Sequence, residues 1–114
     1  MSKVGEAEYQ LTVARALISK PENWCQGGFR KNLYKFGVVV GAAFCAGGAM
    51  RESNLDPYVF YQHTPAYGFL HEAAGIAPAP DGSLSEWNDA PARTHGEVLA
   101  VYDAAIAKAR ELGV

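Results

Sequence analysis

Cysteine is scarce. Cys25 and Cys45 are the only two in 114 residues, too few for a disulfide-stapled secreted scaffold. Both are expected as free thiols in a reducing cytoplasm. No leader is expected, because no charged segment followed by an apolar run opens the chain. Long apolar runs are also missing. The longest, Phe36 to Met50, carries four glycines in 15 residues, short of the roughly 18 that span a bilayer, so no membrane partner is expected. Positive charge is in deficit, with ten Lys and Arg against twelve Asp and Glu for a net charge of −2. Nucleic-acid affinity comes largely from neutralising phosphates, and Arg30, Lys31 and Lys35 are the only tight basic group, so nucleic acid is not an expected partner. Cys-x-x-Cys and His-x-x-x-His pairs are absent, and neither a metal site nor a cofactor is expected. Gly27-Gly28 and Gly47-Gly48 lack the spacing and the following Lys-Ser/Thr of a phosphate loop. There is no internal repeat and no heptad array.

What the chain does contain is globular. Its composition is 49% hydrophobic and 19% charged, and its length fits a single domain, 1–114, able to bury one core. Residues 5 to 20 read as a helix with Leu11, Ala14, Leu17 and Ile18 on one stripe, stopped by Pro21. Trp24 and Phe29, in the Gly-rich loop that follows, are expected to fold back as core anchors. Residues 29 to 40 carry both helical spacing and β-branched character. A short hairpin there is one reading; the preferred one is an irregular connection before a second helix at about 39 to 53. On that helix Gly41, Cys45 and Ala49 form a small face for a buried hub. Asp56-Pro57 and Thr64-Pro65 are helix starts, the second leading through Ala74 to a stop at Gly75. Ser83 to Glu86 and Thr94 to Glu97 have capping-box form. The second opens the clearest helix, with Val98, Val101, Tyr102, Ala105, Ile106 and Ala109 as its buried stripe and Gly113 as its end. The expected fold is mainly all-α, a compact domain of four to five helices with an optional hairpin near residues 29–40.

Three constellations could carry chemistry. The densest is Trp87 to His95, where Asp89, Arg93 and His95 gather at a helix start. There a neutral imidazole could act as a base or ligand. The structural reading of the same residues makes Asn88 and Asp89 a turn, Pro91 a stiffener, Arg93 a partner of Asp89, and Trp87 a core plug. The second constellation joins Cys25 and Cys45 to His63, His71 and His95. A thiol nucleophile would need such a histidine with an orienting Asp89, but Cys45 reads as a buried, inert thiol inside a helix. The third is aromatic, the segment Tyr58 to His63 with Tyr67 and Phe69 beyond it: Tyr58, Phe60 and Tyr61 cannot all point inward from one short turn, and the remainder would form a contact patch or a lid over the hub helix.

Three segments carry a resemblance: Trp24-Cys25-Gln26-Gly27, Phe44-Cys45-Ala46-Gly47-Gly48-Ala49, and Trp87-Asn88-Asp89 leading through Arg93-Thr94-His95 into Val98-Leu99. In this order they resemble a family of short proteins of unknown function from bacteria and their phages. The resemblance implies a compact, mainly helical domain and supplies no catalytic residue.

The function expected is a small cytoplasmic binding module for a protein partner or a second copy of itself. Tyr58, Tyr61, Tyr67, Trp87, Asp89, Arg93 and His95 are its binding residues. The alternatives are a Cys/His hydrolase or transferase using Cys25 or Cys45 with Asp89 and His95, and a phage-encoded inhibitor of a host enzyme.

Overall fold

The computed structural model describes residues 5–54, 59–77 and 82–114. In chain order it contains α1 (Glu6–Leu17), a 3₁₀ turn at Pro21–Asn23, β1 (Arg30–Lys35), β2 (Val38–Phe44) and α2 (Ala46–Glu52). A 3₁₀ turn at Tyr61–His63, α3 (Pro65–Ala74), α4 (Leu84–Asn88) and α5 (His95–Leu112) follow. Five helices and one hairpin among the described residues match the expected mainly helical domain.

The long α5 organises the packing. Thr94 caps it by accepting from the Glu97 N–H, the Glu97 carboxylate accepts from the Thr94 N–H, and Gly113 closes it at φ 73°. This reciprocal bonding satisfies backbone groups that a helix end leaves unpaired. Its stripe, Val98, Tyr102, Ala105, Ile106 and Ala109, is buried, with Val101 half-buried at the margin. It packs on α1 and α3, and Leu11, Ile18, Met50, Leu70 and Leu84 complete the core. The Tyr102 hydroxyl donates to the Ala46 carbonyl at 2.7 Å, tying α5 to the first turn of α2. Two exposed ion pairs, Arg15 with Asp103 and Arg110 with Glu8, join α1 to α5 and contribute little to stability. Among the described residues no helix is long and apolar enough to cross a membrane.

The region 29–53 departs from the preferred sequence reading. Residues 38–44, with 39–44 expected within a helix, form the return strand of an antiparallel hairpin. Phe36 at φ 52° and Gly37 at φ 78° make the left-handed two-residue turn that such hairpins favour. Three consecutive valines then suit an extended chain better than a helix. Val40 is the extra residue of a bulge, between Gly41 opposite Leu33 and Val39 opposite Tyr34. The helix that remains, α2, is shorter but is the expected hub, with Ala46 to Met50 all buried. Gly48 is needed there because a Cβ would overlap the Phe29 carbonyl. Gly41 and Cys45 therefore do not share a helix face with Ala49; Cys45 is the N-cap. The first helix ends at Leu17, before Pro21, because the chain turns through Ile18 into the 3₁₀ segment. The expected start at Asp56-Pro57 lies outside the described residues.

Candidate functional site

Asn88 is the centre of a hydrogen-bonded clip. It ends α4, which Ser83 opens by accepting from the Glu86 N–H, and its side chain is fully buried. Its Oδ1 accepts from the Trp24 indole at 2.7 Å and from the Ala46 N–H at 3.0 Å. Its Nδ2 donates to the Cys25 carbonyl and to Asp89 Oδ1, both at 3.0 Å. That Asp89 oxygen also accepts from the Gly27 N–H. The Gln26 amide donates to the carbonyls of Asn88 and Ala90 at 2.9 and 3.0 Å. The loop 24–29, the start of α2 and the end of α4 are thus fixed together by one carboxamide with every bonding position filled. This is the condition under which a buried polar group stabilises rather than costs.

The thiols lie in the same junction. Trp24 and Phe44 form a parallel bridge, with the Cys25 N–H donating to the Phe44 carbonyl at 3.1 Å, so the two cysteines follow as the next residues of neighbouring chains. Both are free and buried. Cys45 Sγ accepts from the Gly48 N–H at 3.2 Å. Burial raises the Cys45 thiol's pKa, opposed by the N–H groups of Gly48 and Gly47, while Asp89 raises it further. Burial also raises the Cys25 thiol's pKa, reinforced by Cys45.

A cleft opens beside the clip. Gly27, Gly28, Phe29, Cys45, Ser85 and Asp89 line a space of about 340 Å³. Phe29 and Ser85 also line a second space of about 560 Å³, walled by Tyr61, Gln62, His63, Tyr67, Gly82 and Ser83. The two therefore adjoin at Phe29 and Ser85, one with an aromatic wall and the other with a carboxylate. Tyr61 stands edge-on to Tyr67 at 5.3 Å, and Tyr67 packs on the buried His71 ring at 4.6 Å. Arg51 lies over the Phe29 ring at 4.7 Å.

The Family of unknown function DUF6197 matches residues 5–108, nearly the whole chain. The chain belongs to this family. The three segments that suggested a family of unknown function all fall inside the DUF6197 match, and it is these segments that build the clip. No curated protein and no solved structure matches the chain.

Against that geometry the expected site residues separate. Cys45, Asp89, Tyr61 and Tyr67 line the cleft. Cys25 lies behind it, bonded to the Gly28 carbonyl at 3.5 Å. Trp87, Arg93 and His95 line neither part. Arg93 does not pair with Asp89. Its Nε donates to the Trp87 carbonyl, its guanidinium covers the Trp87 ring at 4.0 Å, and it pairs with Glu97 at 3.2 Å. His95 Nε2 donates to the Ile18 carbonyl at 2.6 Å, and its ring meets Trp24 at 6.0 Å. A Cys45–His95 pair is therefore not assembled. Tyr58 lies outside the described residues. Phe29, expected as a core anchor, is 38% exposed and forms the cleft wall: its backbone packs on Gly48, and its ring lies against Gly47 and under the Arg51 guanidinium. The sequence reading gave no site role to Ser85, Ser83, Gln62 or Gln26, and gave Asn88 only a turn. The one available signal was that uncharged amides occupy two of the family-like segments.

Proposed function

We propose that this DUF6197 protein is a small binding module that receives an extended segment of a partner protein in the Phe29–Ser85 cleft. The observation that carries this reading is the shared wall. Phe29 and Ser85 belong to both spaces, so an aromatic-walled space and one that ends on the Asp89 carboxylate adjoin along these two residues. Ligand sites commonly combine an apolar lining with a few placed polar groups, and an extended peptide meets such a surface with alternating side chains. The space that Phe29 and Tyr61 both line would take an aromatic or branched side chain. Ser83, Ser85 and Gln62 offer partners to a peptide backbone. Asp89 favours a segment with a basic side chain at its far end. Thiol chemistry is not the reading favoured, because burial raises the pKa of both thiols and Cys45 Sγ is engaged by the Gly48 N–H, while His63 lines the other space.

Amide chemical-shift mapping tests this with peptides that carry Phe and Lys at varied separation, and with Ala-substituted controls. The expected result is saturable shifts at Gly27, Phe29, Tyr61 and Ser85, weakened by Tyr61→Ala and, for Lys-bearing peptides only, by Asp89→Asn. Shifts scattered outside the cleft, or binding indifferent to both substitutions, would sink the reading.

A further inference from the structure

The hairpin extends away from the core with its apolar side chains uncovered. Its base is fixed: Ala43 and Phe44 are buried, the Asn23 amide donates to the Ala42 carbonyl, and Trp24 bridges Phe44. Beyond that base, Tyr34, Val38 and Val40 are each more than 60% exposed, and Phe36, at the tip, is 95% exposed. The charge is equally one-sided. Between Glu22 and Glu52 the chain has no acidic residue, and Arg30, Lys31 and Lys35 all lie on β1. A protein with net charge −2 thus carries a cationic strand joined to an apolar tip.

We propose that the outer half of this hairpin docks on an anionic lipid surface, with Phe36 and Val38 to Val40 entering the acyl boundary and the three cations meeting headgroups. The spacing fits. Strand residues rise about 3.4 Å each, so Lys31 and Arg30 stand roughly 14 and 17 Å behind Lys35. A tip that sinks about 5–10 Å carries the Lys35 backbone in with Val38, its strand partner, and leaves the other two over the headgroup layer. Lys35 Nζ, 6.0 Å from the Phe36 ring centre, has a stem long enough to reach back to the headgroups. Other occupants leave part of the surface unexplained. A strand added at either edge does not cover Phe36, which sits on the turn. A polynucleotide engages the cations and rings but gives the valines no role. A second copy would bring three more cations to the same small sheet. The sequence-based expectation of no membrane partner rested on the lack of a spanning run. The contact inferred here is with the surface; it is argued from the hairpin alone, and Lys31, whose ammonium lies beside Gly27, is the residue it shares with the edge of the cleft.

The test is sedimentation of the full chain with vesicles of phosphatidylcholine alone and of equimolar phosphatidylcholine and phosphatidylserine. At low ionic strength, binding to the mixed vesicles should exceed binding to the neutral ones by about tenfold or more, and salt should weaken it. Phe36→Asn, which the left-handed turn accepts readily, should reduce it by about tenfold. The double variant Lys31→Glu, Lys35→Glu should abolish it. Soluble glycerophosphoserine should not compete, because a free headgroup offers no acyl boundary. Absence of sedimentation with mixed vesicles, undiminished binding by Phe36→Asn, or competition by the soluble headgroup would overturn the proposal. So would retention on polyuridylate without vesicle binding, which would assign the hairpin to nucleic acid.

Discussion

In the clip, the Asn88 carboxamide has no exposure and four partners. In the outer hairpin, the Phe36 ring is 95% exposed, with one ammonium 6.0 Å from its centre. The polar side chain is inside and the apolar one outside, the reverse of their average preferences. Both placements follow from what each group can reach. The amide matches two donors and two acceptors brought by three chain segments, so its desolvation is offset in full. The phenyl ring sits on a two-residue turn at the end of a two-stranded ribbon, where the chain can fold nothing over it. A hairpin of two strands is marginal by itself, and here its buried base and the Trp24 bridge hold it. The polar interior fixes the fold; the apolar exterior leaves a surface.

The largest effect should come from breaking the clip. Asn88→Ala leaves the Trp24 indole, the Ala46 N–H and the Cys25 carbonyl unpaired in the interior, and each orphaned group costs about 1–3 kcal/mol. Partial relaxation and water entry reduce the sum, so a loss of about 3–5 kcal/mol is expected in urea unfolding monitored by Trp fluorescence. A loss below about 1 kcal/mol would show that the clip follows the fold rather than holding it.

Alkaline pH should act next, through the aromatic end of the cleft. Burial pushes the Tyr67 hydroxyl from 10.0 up to about 12, reinforced by Tyr61. Since the folded pKa is the higher one, its stabilisation is complete below pH 10 and is lost as pH rises from 10 towards 12. The loss should be about 2 kcal/mol, less than the full two-unit value because the residue borders the cleft. Phenolate absorbance and circular dichroism, followed together, check it. A Tyr67→Phe protein that loses stability over the same interval to the same extent would break the link.

How much of this was legible in the sequence depended on how local the determinant was. The α5 boundaries follow from Thr94, Glu97 and Gly113, and those of α3 from Thr64, Pro65 and Gly75, because caps act within one turn. The strand at 38–44 was harder. The run Val38 to Met50 mixes β-branched and small residues, and the deciding feature is a turn with a phenylalanine where Asn or Gly is usual. The site was less legible still. Asn88 meets partners 42 to 64 positions away, and no spacing rule encodes a contact at that distance. Residue type pointed to Arg93 and His95 as chemistry, yet Arg93 is taken up by the Trp87 carbonyl and ring and by Glu97, and His95 by the distant Ile18 carbonyl. The cleft instead uses Phe29 and Ser85, whose types announce nothing.

Thiol reactivity gives a smaller but direct contrast between the interior and the surface. Burial raises both thiol pKa values above 9.0, so the thiolate fraction at neutral pH is lower than in an open chain. Native Cys25 and Cys45 should alkylate at least about tenfold more slowly than a cysteine peptide at pH 7.4, and at the peptide's rate in urea. Either thiol reacting faster than the peptide would restore the nucleophile reading for that residue.

The smallest effect should have the opposite sign. Phe36 holds a left-handed backbone, which costs a bulky L-residue roughly 1–2 kcal/mol and an asparagine less. Phe36→Asn should therefore raise stability by up to about 1 kcal/mol, provided the ring contributes nothing to folding. The ring is 95% exposed, with Lys35 Nζ 6.0 Å from its centre, and so has little to lose. A gain in urea midpoint together with a loss of vesicle binding would separate the two regions cleanly. The residue would then be retained against stability, as a contact surface is and a core residue is not. A loss of stability would place Phe36 among the groups that hold the hairpin, and the contrast with Asn88 would shrink to a difference in degree.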